Sequence, residues 1–330
     1  MASSSLTNPT LEKFQASASE LDECCFYRAP DKLVLQHVND LAATRSIHFN
    51  FGMDAGSWVD LNWLSELPNC QFLSILNNDY TGPRTSDLSV LSKLERLVMF
   101  DASTFDTKKK IDFGPLLASS ETLQSLEVDA TASKTNFKTV LPELNSLRCL
   151  SVKGLDGRWI SELADLAFLA VSGKLKNSRM VAPTLRHMMI ADGEFPDFES
   201  NTWEGIEVLE LVGDVKKIPT DWPTCSNVRH LEINSSKVTT LDWLDNLPSL
   251  RTLVVHDWRG ECSEFSNALS NDSHVKEIWV TFGPLASNAS KQSELKTLVQ
   301  AAKKKVKLLK EHPGNFSYVR WITADMPKSL

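Results

Sequence analysis

The sequence predicts an α/β solenoid: a curved stack of coils with a concave parallel β-sheet of about eleven strands and an irregular or short-helical convex side. Two observations predict it. Residues 241–255, LDWLDNLPSLRTLVV, carry Leu241, Leu244, Leu247, Leu250 and Leu253 at steps of three, and Val255 follows two residues later. A three-residue rhythm therefore gives way to strand alternation, a combination that an α-helix does not sustain. The same pattern then recurs along the chain at irregular intervals, which marks stacked repeats rather than one globular core.

Extended backwards, one copy runs from Val228 through Leu231, Ile233, Val238, Leu241, Leu244 and Leu247, and ends where the next begins at Leu250. It resembles the leucine-rich repeat LxxLxLxxNxIxxLxxLxxLxx of the short bacterial and cytosolic class, found in internalins and in cytosolic phosphatase regulators. That resemblance implies a leucine-rich-repeat horseshoe that binds another protein. Ser236 stands where the repeat has asparagine, so the turn's donors and acceptors fall to serine or water.

The remaining copies follow one template: apolar residues six and three before a strand start, at the start, and three and five after it. Val38, Leu41, Thr44, Ile47 and Phe49 fit with one polar substitution, and Leu64, Leu67, Cys70, Leu73 and Ile75 fit throughout. Leu88, Leu91, Leu94, Leu97 and Met99 come next, then Leu117, Ser120, Leu123, Leu126 and Val128. Two more full copies start at Leu147 and Leu166, and strand segments recur at Leu185, Ile206, Val228, Leu250 and Val275. Trp63, Trp159 and Trp243 each stand seven residues before a strand start, an offset that suits packing between coils.

Three segments result: an amino-terminal cap at 1–37, the solenoid at 38–283 and a carboxyl-terminal cap at 284–330. The first cap begins polar and serine-rich and turns weakly helical over Leu11 to Cys25. The second is expected to hold a helix from Ser290 to His312 with Lys303, Lys304 and Lys305 on its exposed face, then a strand from Phe316 to Ile322. Caps of this kind cover the open ends of a repeat stack.

The formal net charge over 330 residues is −7, which argues against a general nucleic-acid binder that works by neutralising phosphates. No apolar run is long enough to cross a bilayer, and the first residues lack the basic and apolar regions of a leader, so no membrane association and a cytoplasmic location are expected. The six cysteines show no CxxC pair and are expected to be reduced. No phosphate loop, dinucleotide fingerprint, zinc-protease or nucleophile-elbow motif is present, so neither catalysis nor a cofactor is expected. His187, His230 and His256 project from neighbouring strands and leave open an alternative, a metal protein or enzyme built on those histidines.

Residues two, four and six after each start face away from the leucines. These columns hold Glu127 and Asp129, then His187, Glu210, His230, Glu232, His256 and Trp279, with Trp258 just beyond. Phe72, Phe100 and Phe168 are placed there too. Glu210 and Glu232 occupy equivalent positions on consecutive coils, and their mutual repulsion would be relieved by a basic guest. The expected partner is therefore a protein with a basic surface. An inhibitor or immunity-type protein is one concrete version, and a regulatory subunit of a larger enzyme assembly is another.

Overall fold

A step of three leucines is the period of a 3-10 helix, in which each N–H bonds the carbonyl three residues back and side chains three apart eclipse. In the computed structural model, Leu64 N–H donates to the Leu61 carbonyl, Leu67 to Leu64 and Cys70 to Leu67, each at 2.9 Å. Leu244, Leu247 and Leu250 repeat the ladder at 2.9–3.1 Å. The leucines of each turn thus fall on one side, where Leu61, Leu64, Leu67, Leu241, Leu244 and Leu247 are buried. Fully burying such a side chain contributes roughly 1.5–3 kcal/mol. The strand that follows alternates buried and half-exposed residues, as in His187–Ala191 and Val208–Val212.

The structure describes residues 4–7, 12, 21–26, 32–44, 46–52, 61–76, 87–102, 109–131, 134–177, 182–193, 200–215, 218, 224–266, 268, 274–282, 287–301, 306–312 and 317–323. The chain divides into two compact units, Met1–Ala167 and Phe168–Leu330.

In the first unit, strands β1 (Ser4–Thr7), β2 (Leu21–Phe26), β3 (His48–Gly52), β4 (Phe72–Leu76), β5 (Met99–Ala102), β6 (Ser125–Thr131) and β7 (Cys149–Asp156) each pair in parallel with the next. Parallel neighbours need a crossover. Helix α1 (Lys32–Ala42) supplies it between β2 and β3, and 3-10 turns such as Asn62–Glu66, Ser89–Lys93 and Gly114–Ser119 supply it later, the last followed before β7 by α2 (Phe137–Val140). Cys24, Phe49, Leu73, Phe100, Leu126 and Leu150 stack in register as one core row.

The second unit begins with β8 (Phe168–Lys176), β9 (His187–Ala191), β10 (Val208–Val212), β11 (His230–Asn234), β12 (Thr252–Val255) and β13 (Glu277–Phe282), again parallel. Its core rows are Leu169, Met188, Leu209, Leu231, Leu253 and Ile278, and Val171, Ile190, Leu211, Ile233, Val255 and Val280. Helix α3 (Ser200–Gly205) precedes β10, and α4 (Ser287–Ala301) follows β13. Lys291 of α4 donates its ammonium to the carbonyls of Arg259 and Gly260, both at 3.0 Å, and Leu295 is fully buried. Strands β14 (Val306–His312) and β15 (Ser317–Thr323) close the sheet, β15 lying antiparallel to both β13 and β14. Each unit is a leucine-rich-repeat solenoid, with a parallel sheet on one side and short helical turns on the other.

Several expectations shift. Leu21–Phe26 is a parallel strand rather than part of a weak helix, because Cys24 and Phe26 alternate into the core. The expected helix over 290–312 ends at Ala301, and Val306–His312 is a strand; Lys303, Lys304 and Lys305 lie outside the described residues. The copy placed on Leu94 actually starts at Leu97: Phe100 and Ala102 pair with Leu73 and Ile75, so Phe100 is buried and Met99 is turned outward. A three-residue leucine ladder offers several equivalent starting points, which is why sequence alone slipped by one step there. Leu116, not Leu117, faces inward in the following turn. Ser236, at the repeat's asparagine position, is half-exposed, and the buried hydroxyl is that of its neighbour Ser235, which accepts from Lys237 N–H at 3.3 Å.

Candidate functional site

The outward face of each sheet is built by the residues between the leucines, held in register by the ladder. In the first unit one row runs Asn50, Ser74, Asp101, Glu127 and Ser151. Ser74 is buried and stands between two polar groups: His48 Nε2 lies 2.7 Å from its hydroxyl, and the hydroxyl bonds Asp101. Burial lowers the His48 imidazole's pKa, with Glu23 on the neighbouring strand opposing the shift. Burial and the adjacent Glu127 carboxylate raise Asp101 to about 6, and the Ser74 hydrogen bond holds it back. Among the described residues neither Asp101 nor Glu127 has a cation within ion-pair distance. Asp129, next along β6, is exposed and lies 3.6 Å from Lys153.

In the second unit the equivalent row is Ala170, Met189, Glu210, Glu232, Val254 and Trp279. Its acids are not left to a guest. His187 Nε2–H donates to Glu210 Oε1 at 2.6 Å from the neighbouring strand. Glu232 lies between two imidazoles: His256 Nε2 is 2.9 Å from Oε1, and His230 Nε2 is 3.9 Å from Oε2. The His187 ring is also fixed edge-on against Phe168, with centroids 4.7 Å apart. All five His and Glu side chains are half-buried.

The residues singled out from sequence therefore divide. Glu127 and Asp129 lie on the outward face of the first unit, and His187, Glu210, His230, Glu232, His256 and Trp279 on that of the second, where the Trp279 indole donates to Glu277 Oε1 at 2.5 Å. Trp258 does not belong with them. It is 2% exposed, packs edge-on against Phe265 and donates its indole N–H to the Glu261 carbonyl, so it is a core residue. Its burial leaves room only for glycine at 260, where a Cβ would strike the Trp258 ring and the Thr239 carbonyl. Phe100 likewise leaves the aromatic set, while Phe72 and Phe168 remain half-exposed.

Asp101 is the residue that sequence reasoning missed. Once the copy starts at Leu97, Asp101 falls four residues later, in the outward column. Pairing the strands would have found it; the leucine ladder alone did not. As for the histidines, no group of three or more His, Cys, Asp or Glu among the described residues is placed to hold a metal ion. The imidazoles are spent on glutamates instead.

No family model matches the chain, and no curated protein matches it. Among solved structures it is similar to the crystal structure of an internalin from Listeria monocytogenes strain 4b F2365, at 14% identity and a TM-score of 0.46 over 80% of this chain and 82% of that one. No described helix is long and apolar enough to cross a membrane. No disulfide joins the six cysteines, and burial pushes the Cys24 thiol up to about 12 and Cys262 up to about 11.

Proposed function

We propose that this chain is a non-catalytic scaffold that binds a protein partner on the outward face of its sheet, with basic side chains of the partner docking on the outward carboxylates. The observation that carries this reading is the Asp101–Glu127 pair. The two carboxylates stand on adjacent strands, about 4.8 Å apart at the backbone; burial and then the neighbouring Glu127 raise Asp101 to about 6, with no cation beside the pair among the described residues. A lysine or arginine from outside would stabilise both charged forms. Half-exposed Phe72 and Met99, paired on the adjacent strands β4 and β5, supply apolar contact area beside these charges.

The absence of a disulfide among the six cysteines, with burial raising the thiols of Cys24 and Cys262, supports a reducing compartment, which fits a cytoplasmic protein of the short-repeat class acting as an inhibitor or immunity-type partner of a basic protein. Affinity capture from the native cell tests the reading. The wild-type chain retains a stable partner at low salt, and Asp101→Lys with Glu127→Lys abolishes retention while the circular dichroism spectrum is unchanged. Undiminished capture by that variant would place the interface elsewhere.

A further inference from the structure

The residue just before each strand of the second unit forms a row of its own. Arg229 and His230 N–H both donate to the Glu207 carbonyl, at 2.9 and 3.2 Å; Arg251 and Thr252 do the same to Arg229, at 2.9 and 3.0 Å; Lys276 and Glu277 do so to Arg251, at 2.7 and 2.9 Å. These shared carbonyls stack Glu207, Arg229, Arg251 and Lys276 backbone upon backbone, at a strand spacing of about 4.8 Å. Arg186 opens the row and is matched by Glu207 at 4.0 Å. Beyond that pair the pattern changes. Arg229, Arg251 and Lys276 are exposed, carry like charges on successive coils, and have no ion pair among the described residues.

Like charges directly across neighbouring strands are unfavourable, and nothing in packing requires them at an exposed position. We propose that Arg229, Arg251 and Lys276 are a second contact stripe, one that receives the acidic face of a helix on the protein partner. A helix advances about 5.4 Å per turn, close to the strand spacing, so carboxylates at every third or fourth position meet one cation per coil. The stripe stands one residue before the column of His187 and His230 and three residues before that of Glu210 and Glu232. Rows of opposite charge at two positions of the same strands fix the direction and register in which a partner docks. This stripe rests on the scaffold reading above but uses different side chains.

The test uses the full chain and a labelled helical peptide bearing glutamates at every third or fourth position, read by fluorescence anisotropy at low and high salt. Arg229→Glu with Arg251→Glu weakens peptide binding by about tenfold or more. Lys134→Glu with Lys138→Glu makes the same change in net charge on exposed lysines of the first unit and alters binding by less than about twofold. Equal losses in both variants, or none in the first, overturn the stripe. Should the double reversal unfold, Arg229→Gln with Arg251→Gln carries the same test. An oligolysine peptide, sensitive to Asp101→Asn with Glu127→Gln, reports separately on the carboxylates, so failure of one stripe is distinguishable from failure of the other.

Discussion

The two units set carboxylates at the same register position of adjacent strands and treat them in opposite ways. In the first, Asp101 and Glu127 stand side by side, the Ser74 hydroxyl bonds Asp101, and burial together with Glu127 drives Asp101 up to about 6. In the second, Glu210 and Glu232 each receive an imidazole from a neighbouring coil, at 2.6 and 2.9 Å. A repeat fixes where an outward side chain stands, and its neighbours one coil away decide whether its charge is compensated. The first pair has no cation beside it among the described residues, while the carboxylates of the second each have an imidazole from within the chain.

The largest expected effect concerns the register that creates the first pair. Phe100→Ala costs about 3–5 kcal/mol in urea unfolding, as for a buried aromatic, because Phe100 sits in the core row with Leu73 and Leu126. A cost below about 1 kcal/mol, the surface range, would put Phe100 outside and remove Asp101 from the outward column.

Next comes a difference of sign. Asp101 has a folded-state pKa raised from 3.8 to about 6, so the protonated form is favoured in the folded chain. The favourable contribution is fully present below about pH 4 and is lost as pH rises through about 6. Asp101→Asn therefore stabilises at pH 7, on the order of 1 kcal/mol once solvent screening of this half-buried group is allowed for, and the gain disappears near pH 4. Glu210→Gln goes the other way, destabilising by about 0.5–1 kcal/mol through loss of the charge-assisted bond from His187. Thermal unfolding of both variants across pH reads this comparison; two shifts of the same sign would erase it. Smallest of all, Met99→Ala is within about 0.5 kcal/mol of the wild type, since Met99 is half-exposed.

Much of the fold was legible in the leucines, because a step of three and a step of two each correspond to a backbone with its own hydrogen-bond pattern. Leu244, Leu247, Leu250, Leu253 and Val255 occupy the buried positions that their spacing implied. Register within the ladder was less legible: Leu94 and Leu97 are equivalent by spacing, and only the pairing of Phe100 with Leu73 separates them. That slip hid Asp101 and turned Phe100 outward, and the copy placed on Thr44 is likewise shifted, since Phe49 rather than Ile47 pairs with Leu73. The outward histidines were visible as a column, but their partners were not, since the His187–Glu210 bond links residues 23 apart and depends on the coil-to-coil register. Trp258 failed for another reason: it lies past the last alternating residue of its strand, where the chain turns and carries the ring back to Phe265.

The most direct measurement is carbodiimide labelling of carboxylates in the chain alone and with its captured partner, read by mass spectrometry. Asp101 and Glu127 are expected to lose labelling on binding, while Glu143, Glu162 and Asp245, exposed on the helical-turn side, label as before. Protection of those three, with Asp101 and Glu127 still reactive, would contradict a partner seated on the sheet.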